Sequence, residues 1–286
     1  MSNNINWGKI YESTAWGSGV TDNNISWGKS YADLAGGGFT GLLDTYSGAA
    51  AAYSLRQLSS TYSGNAIKVR RASDNAEQDI AFANNELDTA TLETFASGTD
   101  AFVTTWYDQS GNGNDAAQGS AAAQPKIVSS GSTILDNGKP IINGQDARLD
   151  IGLSGNSNTW IFATIKSAAQ GLSILYSNNG SSPYWAYARL GSTSSISTSL
   201  SNESYYINGT YYAPLNINRE VLFNLTQSQA LFVGNADDSG ISSSSFGYNA
   251  SSIDMYQMKE FIVYTSDQSA NRTGIETNIN DFYSIY

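Results

Sequence analysis

The chain has 286 residues, with 14 basic and 25 acidic side chains, a formal net charge of -11, and neither histidine nor cysteine. Without cysteine there are no disulfides, thiolate nucleophiles or zinc–cysteine sites, and without histidine there are no imidazole bases, Ser-His-Asp triads or histidine-ligated metals. The acidic charge argues against nucleic acid and anionic membranes as partners, because both would repel the protein.

The N-terminal residues contain no basic, apolar signal segment, and no apolar run is long enough to cross a membrane. We therefore expect neither membrane insertion nor signal-dependent export. Any catalysis would have to use carboxylates, tyrosines, lysines or cations held by oxygen ligands.

An internal repeat opens the chain. Residues 3–11 return as residues 23–31, each copy holding an Ile-x-Trp segment followed by Gly-Lys. These side chains either pack as edge strands on the following domain or anchor the chain by burying each Trp on another protein. The candidate anchoring residues are Ile5, Trp7, Tyr11, Ile25, Trp27 and Tyr31. Because glycines at 36–38 indicate a joint, we place an extended N-terminal attachment arm at 1–38 and one domain at 39–286.

The sequence of this domain predicts mainly short strands. The alanine-rich stretch 44–58 predicts an early helix, and residues 266–281 predict an amphipathic helix with Ser266 or Asp267 as its N-cap. Between them, runs rich in β-branched and aromatic residues predict strands. These runs are 66–70, 101–107, 126–128, 159–165, 173–176, 185–187, 205–207, 220–225, 229–233 and 255–264. We predict an all-β sandwich or jelly roll with one or two short helices.

Residues 42–128 carry a recognisable set of motifs. They are Leu-Leu-Asp at 42–44, Ala-Tyr-Ser-Leu-Arg at 52–56, Ile-Lys-Val-Arg-Arg-Ala-Ser-Asp at 67–74, Trp-Tyr-Asp-Gln-Ser-Gly-Asn-Gly-Asn-Asp at 106–115 and Gln-Pro-Lys-Ile-Val at 124–128. This set resembles the concanavalin A-like jelly roll of the family 54 α-L-arabinofuranosidase catalytic domain. It is also similar to bacteriophage virion proteins that reuse that domain.

The repeat at the N-terminus resembles the attachment arms of phage structural proteins. That resemblance implies a virion structural protein, a head fibre, decoration protein or tail adhesin, assembled in the host cytoplasm. Its arm would bind capsid, portal, neck or tail proteins, and its lectin-like domain would bind a host-surface glycan for attachment. A homo-oligomer is expected, with a trimer suggested by analogy with fibres.

The resemblance also locates where catalytic carboxylates would stand. The family's acid/base is an Asp in a Gly-Gly-Asp loop, and the matching positions here are Asp237 and Asp238. The family's nucleophile is a Glu in a Trp-containing strand, but the matching stretch 184–191 has no carboxylate. We therefore expect the protein to have no enzymatic activity. One alternative is an arabinofuranosidase-like glycoside hydrolase using Asp237 or Asp238, and another is a purely structural capsid or tail component that binds no glycan.

Two further sets of candidate residues follow. Aromatic rings in uncharged polar surroundings suit sugar binding, although alternation would turn about half of them into the core. These candidates are Tyr184, Trp185, Tyr187, Tyr205 and Tyr211. Asp108 and Asp115 brace a rigid Gly- and Asn-rich turn, hold a Ca²⁺ ion, which is the one cofactor considered, or contact a ligand directly.

Overall fold

Two large β-sheets dominate the molecule. The computed structural model describes residues 38–166, 174–178, 186–189, 201–212, 229–239, 243–247 and 255–286. Over these residues strands far outnumber helices, so the predicted all-β sandwich is confirmed. Apart from Gly38, the predicted attachment arm lies outside the described residues.

The first sheet has six antiparallel strands. In spatial order they are β1 (Ala49–Ser54), β20 (Gln257–Tyr264), β13 (Thr159–Lys166), β18 (Ala230–Asp237), β16 (Ser201–Ile207) and β17 (Thr210–Tyr212). The three strands β20, β13 and β18 lie at its centre and are almost completely buried where their side chains are described. Burial on both faces explains their long apolar runs.

The second sheet has ten strands. Eight follow one another in the order β15 (Ala186–Arg189), β14 (Ile174–Asn178), β19 (Ser244–Phe246), β12 (Leu149–Asp150), β7 (Ala116–Ala117), β6 (Ala101–Trp106), β2 (Ile67–Arg71) and β3 (Glu77–Ile80). The other two are β8 (Lys126–Ser129), which also pairs with β6, and β9 (Ser132–Thr133). Two small hairpins complete the strands: β4 (Phe82–Ala83) with β5 (Glu86–Leu87), and β10 (Leu135–Asp136) with β11 (Lys139–Pro140).

Helices are few and short in the described residues. They are α1 (Leu42–Thr45), α2 (Thr89–Ala96), α3 (Arg272–Tyr283) and a 3₁₀ turn at Ala121–Ala123. Asp88 caps α2 by accepting a hydrogen bond from the amide of Thr91, which satisfies one free N–H group of the first turn. Within the described part of the chain, no helix has the length and apolar character needed to span a membrane.

Aromatic side chains fill the space between the two sheets. Tyr53, Trp106, Phe246 and Phe261 are all fully buried, and their ring centroids lie 4.6–6.5 Å apart in tilted or edge-on arrangements. Tyr53 and Phe261 belong to the six-stranded sheet, whereas Trp106 and Phe246 belong to the ten-stranded sheet. This cluster therefore joins the two layers, and tilted ring pairs add to the gain from burial.

The helix predicted over 44–58 is wrong. The chain forms only α1 and then enters β1, which pairs with the central strand β20. Ala51 faces the core between the sheets, and Ala52 packs on the opposite side with residues of α3. Both faces are closely covered, so small side chains fit here, and tertiary pairing overrides the helix propensity of alanine.

The C-terminal helix is confirmed in kind but begins later than predicted. It starts at Arg272, because Asp267 instead turns the preceding loop by accepting a hydrogen bond of 2.9 Å from the amide of Ser269. Ile275 and Ile279, predicted to share one face, are both fully buried against the six-stranded sheet.

A buried ion pair attaches this helix to the sheet. Arg56 donates two hydrogen bonds to Glu260, at 2.7 and 3.0 Å, and a third at 2.8 Å to Asn278 on α3. Ser54 and Tyr283 also hydrogen-bond the same carboxylate, at 2.8 and 3.2 Å. Buried charges cost several kcal/mol each unless their partners are in place, so each of these groups depends on the others.

We expect Glu260→Gln to lower the free energy of unfolding by about 3–5 kcal/mol, because it leaves the Arg56 charge buried and uncompensated. Urea denaturation measures this. The matched control is Asp74→Asn, which breaks the exposed Arg71–Asp74 pair and should cost less than about 1 kcal/mol. Equal losses in the two variants would contradict the assignment.

Candidate functional site

A lateral row of side chains crosses the outer face of the ten-stranded sheet. Residues directly opposite each other in antiparallel strands share a face, with Cβ atoms roughly 4.5–5.5 Å apart. The register places on one row Asp79, Lys68, Thr105, Ala117, Asp150 and Ser245. Leu149 and Trp106, which neighbour Asp150 and Thr105 along the chain, are buried in the core, so the row points away from the core.

Asp150 is a carboxylate of this row with a raised pKa. Burial raises the pKa of Asp150 above 3.8, against the opposing effect of Arg148, whose guanidinium lies 3.4 Å away. The side chain is still 33% exposed. Its two row neighbours, Ala117 and Ser245, are small. Asp150 is therefore a partly covered, protonatable group that a ligand can reach.

Two buried polar atoms at this position do not hydrogen-bond each other. Within the described part of the chain, neither Oδ1 of Asp150 nor Oγ of Ser245 has a hydrogen-bond partner, although both atoms are buried. Buried polar atoms are nearly always paired, so such exceptions point to strain or to a polar ligand or water. Here the two exceptions are directly opposite each other in the sheet.

Asp115 supplies a second carboxylate on the same face. It stands just before β7, two residues from Ala117, the row neighbour of Asp150, and it is exposed, as an alternating chain would place it on this face. The amide of Asp108 donates a hydrogen bond of 2.9 Å to Asp115 Oδ1 and orients this exposed side chain. Glycosidases use carboxyl pairs about 5–9.5 Å apart, which is the spacing that a joint role of Asp115 and Asp150 requires.

A tyrosine lies at the other end of the row, beside Asp79. The Tyr107 hydroxyl donates a hydrogen bond of 2.6 Å to Asp79 Oδ1. Burial, then that hydrogen bond and the charges of Asp79 and Asp115, raise the pKa of Tyr107 well above 10, which keeps the phenol protonated as a donor. The face thus combines a tyrosine ring, three carboxylates, a lysine and small hydroxyl side chains, which suits a polyhydroxylated ligand.

The two aspartates that the family resemblance selected lie elsewhere. Asp237 accepts hydrogen bonds from the amide and hydroxyl of Ser239, and these lower its pKa. Asp238 is fully buried; its Oδ1 accepts from Asn156 and Thr159, and its amide donates to the Asn156 carbonyl at 2.9 Å. Burial raises the pKa of Asp238. These contacts fasten the connection between β12 and β13 to the end of β18. The catalytic role of either residue stays a prediction.

The carboxylate oxygens of Asp108 accept hydrogen bonds from other groups of the protein. Its carboxylate accepts hydrogen bonds from the amides of Ala52, Ser110 and Asn114, at 2.8–3.0 Å, and from the hydroxyl of Ser110 at 2.7 Å. In the described ranges, no three acidic side chains come together in a way that could hold a metal ion. The contacts match the alternative of a braced turn, and the calcium site stays a prediction.

The aromatic candidates fall into three groups. Tyr184 and Trp185 lie outside the described residues, and Tyr187 is described only through its backbone in β15. Tyr205 is 1% exposed and packs in the core with its ring centroid 5.7 Å from that of Phe232, so it offers no ring face to a ligand. Tyr211 is 55% exposed.

Sequence reasoning missed Asp150. Strand β12 has only two residues, too few for a recognisable run of strand-forming side chains. The alternation of Arg148, Leu149, Asp150 and Ile151 was the available signal, since it places Arg148 and Asp150 on one face and the apolar residues on the other. Asp115 was selected, but as a metal ligand.

Comparison with known proteins identifies a related group of enzymes. The family model for the catalytic domain of α-L-arabinofuranosidase B matches residues 44–148. A probable α-L-arabinofuranosidase B of Aspergillus fumigatus is 38% identical over 103 residues, which are 34% of this chain and 20% of that protein. The α-L-arabinofuranosidase B of Penicillium canescens is 36% identical over 106 residues, 34% of this chain and 22% of that protein. The matches therefore span about a fifth of the length of these relatives.

A solved structure agrees on the fold. A crystal structure of an arabinofuranosidase complexed with arabinofuranosyl-α-1,2-xylobiose superposes with a TM-score of 0.53 at 13% identity. The superposition covers 81% of this chain and 62% of that chain. The protein thus has a β-sandwich like that of the family 54 arabinofuranosidase catalytic domain.

These findings correct the functional expectation. The prediction of a bacteriophage virion protein without enzymatic activity is wrong, because the family model and the relatives are those of glycoside hydrolases. The predicted virion localisation and the predicted capsid, neck or tail partners are wrong for the same reason, since the relatives are fungal arabinofuranosidases. The hydrolase alternative agrees with these findings better, and they are compatible with carbohydrate binding.

We expect Asp150→Asn to increase the free energy of unfolding at pH 7 and to leave it unchanged at pH 3. A carboxyl whose folded-state pKa is raised contributes stability below its unfolded pKa and loses it as pH rises through the folded value. The neutral amide avoids that loss. Urea denaturation at both pH values measures the difference.

Asp237→Asn is the matched control and should behave oppositely. The pKa of Asp237 is lowered by its hydrogen bonds to Ser239, so its ionised form stabilises the fold and the variant should lose stability at pH 7. A shift of the same sign in both variants would contradict the assigned environments.

Proposed function

We propose that this protein is a glycoside hydrolase that removes α-L-arabinofuranosyl groups from a neutral glycan. The observation that carries the proposal is the family match over residues 44–148, because this segment builds β2, β3, β6 and β7, most of the surface on which the carboxylates lie. The sandwich fold shared with an arabinofuranosidase supports it.

Asp150 is the proposed general acid. Such a group must be protonated at working pH and must touch the leaving-group oxygen. Burial raises the pKa of Asp150 while its side chain remains partly exposed. In the reaction the carboxyl proton passes to the glycosidic oxygen as the bond between that oxygen and the anomeric carbon breaks. Ser245, directly opposite in the sheet, is fully buried and leaves room beside the Asp150 carboxyl because its side chain is small.

Asp115 is the proposed second carboxylate. Ionised, it either attacks the anomeric carbon or activates a water molecule that does so. Asp79 is a poor candidate for this role. It stands four strand spacings from Asp150 on the row, about 19 Å at 4.8 Å per strand. Of the two described carboxylates of the row, Asp150 is therefore the one on the strand next to Asp115.

We expect the protein to hydrolyse 4-nitrophenyl α-L-arabinofuranoside, and we expect Asp115→Asn to lower kcat/KM by about 10²–10⁴-fold. Asp150→Asn should impair this substrate less than an arabinosylated oligosaccharide, because 4-nitrophenolate leaves without protonation and a sugar alkoxide does not. Release of nitrophenol and of arabinose measures the two reactions.

The matched control is Asp267→Asn, an exposed loop carboxylate that should leave both rates unchanged. In the parent enzyme, kcat/KM on the oligosaccharide should fall as pH rises through the pKa of Asp150. Full activity in Asp150→Asn together with loss in Asp237→Asn or Asp238→Asn would move the site to the loop selected by the family resemblance. No turnover by the parent protein would overturn the proposal.

A further inference from the structure

A cluster of tyrosines lies on the other sheet, at the hairpin of β16 and β17. Tyr206 and Tyr211 are direct cross-strand partners, and their ring centroids are 5.3 Å apart at an interplanar angle of 56°. Tyr205 and Tyr212, the adjacent pair, pack toward the core. Tyr206 and Tyr211 therefore occupy the outer face of the six-stranded sheet.

The C-terminal segment adds a third ring. The Tyr286 ring lies next to the turn of the hairpin, where a Cβ atom added to Gly209 would be 3.5 Å from the phenol oxygen. Asn280 fixes the backbone of Tyr286 from both sides: its Oδ1 accepts a hydrogen bond from the Tyr286 amide at 2.9 Å, and its Nδ2 donates to the Tyr286 carbonyl at 3.1 Å. We refer to Tyr206, Tyr211 and Tyr286 as the tyrosine patch.

The patch is exposed and held in place. Tyr211 is 55% and Tyr286 is 54% exposed, and they are two of the three large apolar or aromatic side chains that the described residues leave exposed. Asn208 and Gly209 take positive φ values of 51° and 74°, typical of a tight two-residue turn that fixes the hairpin. Rings held in this way lose little conformational entropy on binding a ligand.

The patch carries no uncompensated charge. The Arg272 guanidinium stacks on Tyr206 at 4.0 Å from the ring centroid and is paired with Glu276, one turn along α3. Its charge is therefore neutralised within the protein, and the exposed part of the patch consists of the phenol rings of Tyr211 and Tyr286. An anionic ligand would find no free cation among these residues.

We propose that the tyrosine patch is a second carbohydrate-binding site, for a neutral oligosaccharide or polysaccharide chain. Exposed rings stack on the apolar faces of sugars, and phenol and hydroxyl groups bond the sugar hydroxyls. The patch lies on the sheet opposite to the Asp150 face, so it binds a chain without taking part in bond cleavage. Such a site holds a polymer on the protein between turnovers.

The test measures binding in the Asp150→Asn background, where substrate is not consumed, so that it does not depend on turnover. The probes are neutral xylo-oligosaccharides and arabinoxylo-oligosaccharides in calorimetry, with oligogalacturonate as the charged comparison. Tyr211→Ala with Tyr286→Ala should weaken binding about five- to 150-fold, which corresponds to the loss of about 1–3 kcal/mol from two stacked rings.

The matched control is Tyr211→Phe with Tyr286→Phe, which keeps both rings and should bind within about threefold of the parent. Equal affinity of the alanine and phenylalanine pairs would overturn the proposal. So would preference for oligogalacturonate, or no binding of any neutral probe by the parent. If only the alanine variant loses binding while neither the protein nor its variants hydrolyse arabinofuranosides, the binding site is supported and the proposed hydrolase function is wrong.

Discussion

The turn after β6 is the constraint on which the candidate site depends. It belongs to the ten-stranded sheet but is bonded to β1 of the six-stranded sheet: Asp108 accepts from the Ala52 amide, and the Gln109 amide donates to the Ala52 carbonyl at 2.7 Å. The Gln109 side chain adds three more hydrogen bonds, to the backbones of Ser54, Arg56 and Leu58. Because the Asp108 amide also holds Asp115, the position of the second carboxylate follows from how the two sheets are joined.

The carboxylates of this protein show how environment separates roles. Asp108 accepts hydrogen bonds from four donors, Asp237 is half-buried and accepts from Ser239, and Asp238 is fully buried. Asp150 combines a raised pKa with partial exposure and a buried oxygen for which the described residues provide no donor. A group with a perturbed pKa that a ligand can still reach is a candidate acid, whereas the hydrogen bonds of Asp108 and Asp238 brace the fold.

Much of the fold was readable from the sequence because alternation and β-branched residues mark strands directly. Strands such as β2, β6, β13 and β20 were predicted within one or two residues of their observed bounds. The prediction failed at 44–58, where alanine favours a helix and only the partner strand β20 imposes an extended chain. It also failed at Asp150, because a two-residue strand has no local pattern and its face is set by its partners β7 and β19.

The functional error had a similar origin. The absence of a carboxylate in the stretch 184–191 was read as absence of catalysis, although carboxylates brought together by sheet register need no sequence proximity. Asp115 and Asp150 are 35 positions apart in the sequence, and the pairing of β7 with β12 brings their segments together. The family motif identified the scaffold, while the pairing of strands decides which carboxylates share a face.

The most direct test of this account is a carbon-13 NMR titration of the aspartate carboxyls, with and without a non-hydrolysed arabinofuranoside analogue. The account predicts that Asp150 titrates above 3.8 and that its carboxyl resonance and pKa change when the analogue binds, together with the resonance of Asp115. An Asp150 that titrates normally and ignores the analogue, while Asp237 or Asp238 responds, would contradict it.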